Sequence, residues 1–296
     1  MSRAFDTIDR AKLMQILKDE VGLEEDEVRM CQSLLANTSL RVKLDEAMSD
    51  PFVTTMGTPQ GDGLSPILFA VYLESALRLV RAKAGPRPDL DKGLPLEAIY
   101  VDDSDFISMS LSYLQQLESI IPPTIGQRQL MANASKWERT ALVTASESEK
   151  KPEWRKVKKL GSLLGDEEDI ERRKILATAS FKSLRLLWGR RKITSVGTRM
   201  RAYNALVLPV LLYNCGTWGV TDAIMDNLEV FHSRHLRDVL GVRVRDIRSK
   251  ELYRRCGTAP LRQGIVKARW SLFNWSCSAA NQRYARSARY GLLWPA

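Results

Sequence analysis

Two adjacent aspartates, Asp102 and Asp103, stand between two short apolar runs at residues 96–101 and 106–109, with Asp105 close behind. Runs of this length read as strands. Strand alternation would push one carboxylate toward a core, at a cost of roughly several kcal/mol if it were unpaired. A β-hairpin with the acids at its tip removes the conflict, because both carboxylates then turn toward one cleft. Two carboxylates some 3–5 Å apart, to order of magnitude, repel unless a divalent cation lies between them, and magnesium suits oxygen ligands of this kind. Two-metal phosphoryl transfer uses that arrangement. The competing reading is an acidic turn that closes a hairpin and touches only solvent.

Upstream, residues 9–21 place Leu13, Ile16 and Leu17 at helical spacing, and residues 25–35 repeat the pattern with Val28, Cys31 and Leu35. Short β-type runs follow at 40–44 and 52–56. A glycine-rich stretch, GTPQGDG, leads to Ser65-Pro66, where the serine can cap a helix and the proline suits its first turn. The predicted helix over 66–83 is apolar nearly all round in its first half and belongs inside a core. Past the hairpin, a helix interrupted by Pro122-Pro123 and a strand at 141–145 are expected. A lysine-rich stretch at 150–159 then marks a domain boundary. Helices are predicted over 170–189, 198–212 and 223–240, with Trp188, Tyr203, Phe231 and Leu236 on apolar stripes. The last thirty residues show only weak periodicity. The fold class is α+β in the first half and all-α in the second.

Charge divides the same way. Residues 1–150 carry 16 Lys+Arg against 23 Asp+Glu, whereas residues 151–296 carry 29 against 12. An acidic half joined to a strongly basic one suits a carboxylate site attached to a polyanion-binding region, or else a basic solvated surface with no partner. Cys31, Cys215, Cys256 and Cys277 are too dispersed for a zinc site or a disulfide framework and read as reduced core residues. His232 and His235, three apart on a predicted helix, lack the extra ligands of a metal site and read as a face touching solvent or nucleic acid. No run approaches a membrane span, and the opening MSRAFDTIDR has no signal-peptide core, so the expectation is an intracellular protein, nuclear or cytoplasmic, not secreted.

Two strings carry a resemblance. Gly57-Thr58-Pro59-Gln60-Gly61-Asp62-Gly63-Leu64-Ser65-Pro66-Ile67-Leu68-Phe69 is followed, about forty residues on, by Tyr100-Val101-Asp102-Asp103. In this order and at this distance they resemble the palm motifs of reverse transcriptases of non-LTR, LINE-type retrotransposons. Ala4-Phe5-Asp6 with Asp9-Arg10 looks like the tail of the family's first palm motif. Asn133 to Glu138 resembles its N-x-x-K-[ST]-E element, with Trp137 replacing the usual hydroxyl residue. Lys159-Leu160-Gly161 resembles the turn that begins the primer-gripping hairpin, with lysine in place of tyrosine. The stretch 207–213, Thr217-Trp218, and residues 228–237 resemble the thumb helices. A group II intron maturase shares the palm motifs, but this basic-half pattern argues against it.

The resemblance implies a polymerase palm, an antiparallel sheet with helices, over 1–150, a primer-grip-like hairpin over 151–165, a basic helical thumb and post-thumb over 166–255 and an irregular tail over 256–296. It implies an RNA-directed DNA polymerase acting on an RNA template, a DNA primer and a dNTP, with two magnesium ions and no membrane, disulfide or zinc. Asp102 and Asp103 are the metal-site carboxylates, Asp102 the more direct ligand. Phe5 occupies the position beneath the nucleotide's sugar, with a core phenylalanine as the other reading. Gln60, Gly61 and Tyr100 fall at nucleotide- or template-binding positions, and Lys136 is placed to assist the leaving pyrophosphate or is merely solvated. Asp62 braces its turn. The family's first motif has an aspartate four residues before its AF pair, and counting back from Ala4 reaches position zero. That carboxylate and the fingers are therefore expected to lie outside this chain, with Asp6 and Asp9 poor substitutes and an open sheet edge left behind. The alternative to an impaired polymerase is a catalytically dead nucleic-acid-binding remnant.

Overall fold

The computed structural model describes residues 5–36, 38–59, 61–89, 95, 97–142, 152–190 and 192–289, without the side chains of 134, 152 and 279–289. The chain divides into two compact units, Met1–Glu138 and Arg139–Ala296.

The first unit is built on four helices. Asp9 caps α1 (Arg10–Ile16), accepting hydrogen bonds from the Ala11 and Lys12 amides. The helix passes into a π-helical turn, Leu17–Val21, that ends at Gly22 in the left-handed region. α2 (Glu25–Leu35) opens with a capping box between Glu24 and Glu27. α3 (Ser65–Ala84) has the expected proline in its first turn, but Ser65 lies inside the helix. Its hydroxyl donates to the Pro59 carbonyl at 2.6 Å instead of capping. Leu68, Phe69, Tyr72, Leu73, Ala76, Leu77 and Val80 form the centre of the unit's core, while Ile67 is exposed. α4 (Leu111–Gly126) packs on α3 and continues through Pro122 and Pro123. The expected interruption does not occur. Tyr113, Leu117, Ile121, Thr124 and Ile125 are buried on both sides of the prolines, and that burial offsets the roughly 3 kcal/mol that a helical proline costs.

The described strands are short and pair only two by two. β1 (Ser39–Leu40) pairs with β4 (Phe52–Val53), enclosing a ladder of β2 (Lys43–Leu44) and β3 (Ala47–Met48). β5 (Glu97–Tyr100) pairs with β6 (Asp103–Phe106). The antiparallel sheet expected of a palm therefore appears among the described residues only as separate two-stranded ladders. The outer edges of β5 and β6 have no described partner strand, and Ile99, Tyr100 and Val101 are exposed there. Ala141 and Leu142 are not in a strand, and the rest of the strand expected at 141–145 lies outside the described residues.

In the second unit a 3-10 turn, Pro152–Lys156, precedes a hairpin of β7 (Lys158–Lys159) and β8 (Ser162–Leu163). Then come α5 (Asp166–Ser183), α6 (Arg185–Gly189), α7 (Val196–Leu206), α8 (Leu208–Leu211), α9 (Asp222–Leu240), α10 (Ser249–Cys256) and α11 (Leu261–Arg289). Trp188, Tyr203 and Leu236 are buried as expected, with Phe231 partly so. The tail expected to be irregular is instead the long helix α11. Its weak periodicity has a physical cause: Leu261, Ile265, Ala268 and Leu272 recur at i, i+4, i+7, i+11, and so do Val266, Trp270, Phe273 and Cys277 on a different side, so the two stripes cancel.

The histidines face inward, contrary to expectation. His232 and His235 are buried, His232 Nδ1 lies 2.9 Å from the Tyr203 hydroxyl, and the His235 ring stacks on Phe181 at 4.3 Å. Burial pushes both imidazoles down to about 4. The four cysteines are free thiols, three buried and Cys277 exposed on α11. No helix among the described residues is long and apolar enough to cross a membrane.

Candidate active site

The β5–β6 register pairs Glu97 with Phe106, Ala98 with Asp105, Ile99 with Ser104 and Tyr100 with Asp103. Val101 and Asp102 form the two-residue turn. Asp102 and Asp103 are both exposed at the tip, whereas the sequence had suggested that the strand resumes only after the acids. Directly opposed residues share a face, so Ala98, Tyr100, Asp103 and Asp105 lie together and Glu97, Ile99, Ser104 and Phe106 lie on the other side. The second side is anchored. Phe106 packs against the core, and Glu97 Oε1 accepts from Arg81 Nε at 2.9 Å. Arg81 also makes a bidentate pair with Glu74, at 2.8 and 3.0 Å, which holds the Glu74 carboxyl below its ordinary range.

A second clamp fixes the chain beyond β6. Arg87 and Asp89 form an ion pair at 3.0 Å with both side chains almost fully buried. Asp89 accepts from the Met109 amide at 2.7 Å and from the Ser108 hydroxyl at 3.1 Å, and the amide bond chiefly lowers its carboxyl pKa. Neither Arg81 nor the Arg87–Asp89 pair was singled out in the sequence, where both fall within ordinary charged stretches. The tip itself is strained: Val101 has φ +55°. A β-branched residue in this region costs roughly 1–3 kcal/mol, a kind of strain that clusters at functional sites.

The two upstream motifs meet through backbone. The Thr58 amide donates to the Phe5 carbonyl at 3.0 Å and the Gly57 amide to the Ile8 carbonyl at 2.8 Å. Gly57 has φ +75°, and a Cβ there would stand 2.9 Å from Asp6 Cα and the Phe5 oxygen, so only glycine permits this approach. The Phe5 ring, half-buried, stacks on Phe69 with centroids 4.4 Å apart. Arg10 holds the same junction, donating to the carbonyls of Leu35, Thr54, Met56 and Gly57 at 2.7 to 3.3 Å. Asp9 spends one oxygen on the helix cap and the other on Gln129 at 3.0 Å. Gln60 lies outside the described residues. Gly61 is exposed with φ +91°, and Asp62 accepts from the Leu64 amide at 3.4 Å within its own turn. Lys136 stands exposed at the end of a separate 3-10 turn, Ala134–Lys136, braced by Asn133.

The residues at the hairpin tip can be tested against magnesium. Among the described residues no three His, Cys, Asp or Glu side chains gather as a metal cage. The Asp102–Asp103 pair supplies hard oxygen donors, and magnesium is commonly held by one or two carboxylates with waters and substrate phosphates completing its shell. The pair fits an ion shared with a substrate in that way. It does not by itself make a two-ion site.

In the second unit, the β7–β8 turn has Leu160 at φ +46° and Gly161 at φ +85°, the type I′ pattern that matches strand twist. Tyr213 donates to the Leu160 carbonyl at 2.8 Å, Arg172 and Arg173 donate to that of Gly161, and the Arg173 guanidinium lies 4.3 Å from the centre of the Tyr213 ring. Buried Asp169 accepts from the Leu163 amide at 2.9 Å and from the Trp218 indole at 3.2 Å. Asp169 and Arg173 escaped sequence reading because buried charges carry no periodic signature. Tyr213 and Trp218, noted only as similarities, help to hold this turn, Tyr213 directly and Trp218 through Asp169.

No curated protein matches the chain. A family model for reverse transcriptase (RNA-dependent DNA polymerase) matches residues 1–165. That span takes in the exposed Asp102–Asp103 tip, the Phe5–Gly57 junction and the turn at Leu160, and it exceeds half of the 296 residues, so the chain belongs to the reverse transcriptase family of RNA-dependent DNA polymerases.

Proposed function

We propose that this chain is the palm and thumb of a LINE-type retrotransposon's RNA-directed DNA polymerase. The observation that carries the reading is the anchored hairpin whose two-residue tip exposes Asp102 and Asp103 within the family-matched segment. In the reaction, a DNA primer's 3′-hydroxyl oxygen attacks the α-phosphorus of a deoxynucleoside triphosphate paired to an RNA template, and pyrophosphate leaves. Asp102 and Asp103 would hold magnesium, which when bound neutralises phosphate charge. Phe5 would present an apolar ring that leaves a 2′-hydroxyl crowded and unpaired. Gly61, with no side chain, would admit the substrate backbone closely, and Gln60 and Tyr100 would contribute nucleotide or template contacts. Lys136 would neutralise the polyphosphate or give a proton to the departing pyrophosphate. The basic helices of the second unit would track primer–template phosphates without reading sequence.

A second reading has its own support. The basic second half, 29 Lys+Arg against 12 Asp+Glu over residues 151–296, supports a remnant that binds nucleic acid without polymerising. Primer extension on an RNA template with magnesium separates the two. Three proteins are compared: this chain, its Asp102→Asn variant, and a longer chain carrying an aspartate four residues before Ala4. Extension that falls by roughly 10²-fold or more in Asp102→Asn supports the polymerase reading. Extension only by the longer chain supports the remnant. Extension indifferent to Asp102 in every background refutes the assignment of the hairpin tip.

A further inference from the structure

The helix α11 packs one stripe, Leu261, Ile265 and Ala268, toward the core of the second unit, with Leu261 and Ile265 buried, while Leu272 and Trp275 further along that side are exposed. Its other stripe is turned by about 140°, given roughly 100° per residue and an offset of five residues. Val266, Trp270 and Phe273 are 41%, 61% and 57% exposed, and Cys277 is exposed beyond them. Trp270 and Phe273 meet edge to face at 5.8 Å, leaving ring faces open to solvent. Exposed rings at this spacing are not an ordinary solvated helix surface.

Charge narrows what can cover them. From Leu261 to the end of the chain there are six cationic residues, Arg262, Lys267, Arg269, Arg283, Arg286 and Arg289, and no Asp or Glu. Two are already engaged: Arg262 pairs with Asp222 at 2.9 Å, and Arg269 donates to the Trp218 carbonyl. Lys267 is exposed beside the stripe. A second copy of the helix would bring like charges together. It would also be short of surface: two aromatics and a valine, about half exposed, give on the order of 300 Å² per copy against the ~800 Å² per partner of a stable interface. Open aromatic faces on a segment that carries cations and no acid of its own are what a flexible polyanion with π-faces requires, because each base can stack while its phosphates meet the positive charge.

We infer that the outer stripe of α11, centred on Trp270 and Phe273, is a binding site for single-stranded polynucleotide, separate from the hairpin of Asp102 and Asp103. This goes beyond the polymerase reading and stands whether or not that hairpin supports synthesis. Bases stack on the two rings, and Lys267 beside them neutralises the backbone. Duplex, whose bases are already stacked on each other, gains nothing from the rings.

The test is fluorescence anisotropy of the full chain with a labelled, uridine-only RNA oligonucleotide and, separately, a duplex of equal length. Both rings are exposed, so the Trp270→Ala/Phe273→Ala double variant should melt at the wild-type temperature. It should bind the single strand roughly 10- to 100-fold more weakly, with its duplex affinity changed less than about twofold. Trp270→Tyr, which keeps a stacking face, should stay within about threefold of wild type. Lys267→Gln should flatten the salt dependence of single-strand binding by a slope of roughly 0.7. The inference is overturned if the double variant binds the single strand like wild type, or if single-strand and duplex affinities fall together. It also fails if Trp270→Tyr is as weak as the alanine variant, or if light scattering shows a wild-type dimer that the double variant dissolves, since the stripe would then belong to a second copy.

Discussion

Replacing Gly57 by alanine should separate the two upstream motifs, and the structure allows the cost to be apportioned. Gly22 provides the comparison, because its φ of +79° nearly equals the +75° of Gly57 while a Cβ there meets nothing within 4 Å. Alanine in this region costs about 1–2 kcal/mol, partly offset by about 0.4–1 kcal/mol from a stiffer unfolded chain. Gly22→Ala should therefore destabilise by about 1 kcal/mol. At Gly57 the same strain is joined by two contacts at 2.9 Å with backbone atoms that have no flexible end to move aside. Residues 5–6 and 57–58 must part, which weakens the Thr58–Phe5 and Gly57–Ile8 hydrogen bonds and disturbs the Phe5–Phe69 stack. At about 0.5–1.5 kcal/mol for each of these, Gly57→Ala should cost about 3–4 kcal/mol in total. Hydrogen exchange of the α1 and α3 amides across a urea series reads the first unit alone. With a slope near 2 kcal/mol per molar urea, to order of magnitude, the midpoint should fall by about 1.5–2 M for Gly57→Ala and about 0.5 M for Gly22→Ala. Midpoints within about 0.5 M of each other would refute the close-approach argument.

Three further outcomes are expected. Burial holds His232 and His235 at about 4, below the 6.5 of an unfolded histidine, so the unfolded chain takes up more protons between those values. The second unit should keep its full stability above about pH 6.5 and lose on the order of a few kcal/mol as pH falls toward 4, with His235→Phe removing part of that loss; a melting temperature flat across this window would contradict the buried geometry. Asp169→Ala leaves Arg173 in the core without its carboxylate and should cost about 3–5 kcal/mol by tryptophan-monitored urea unfolding, whereas Asp169→Asn should be milder, and a cost below about 1 kcal/mol for the alanine variant would remove Asp169 as the organiser of the β7–β8 turn. Val101→Asn, which tolerates positive φ better and gives up a partly exposed side chain, should raise thermal stability by about 1 kcal/mol; a loss of stability would mean that the valine packs more than its exposure indicates.

What sequence could convey depended on the kind of interaction. The hairpin was legible because two acids between apolar runs admit few folded solutions, and α3 because its apolar face and first-turn proline agree. Gly57, Gly61 and Phe5 were marked by motif similarity, but why Gly57 must be glycine depends on the backbone of residues 5–6, fifty positions away in sequence. Proline in α4 misled because local propensity yields to burial on both sides of it. The histidines misled because polarity was read as exposure, while ring stacking and one hydrogen bond make their burial tolerable. Nothing periodic distinguishes Arg10, Arg81, Arg87 or Asp169 from solvated charges, since their roles are set by particular partners: backbone carbonyls for Arg10, carboxylates for Arg81 and Arg87, and an amide and an indole for Asp169. The tail was misjudged because two opposed apolar stripes leave no net asymmetry.

The grip of Arg10 has a consequence for how this chain tolerates change. Its guanidinium reaches the carbonyls of Leu35 and Thr54, the two ends of the excursion that carries β1 to β4, and the Thr54 amide donates to the Thr38 carbonyl across the same neck at 3.0 Å. The excursion is thereby tied off where it leaves the core, so its length is uncoupled from the Gly57 junction that follows. Doubling a closed loop costs only about 0.6 kcal/mol. Residues 41–51 are therefore the natural place in the first unit for insertions to accumulate or for an affinity tag to be spliced, while the one position that the excursion cannot spare lies outside it, at Arg10.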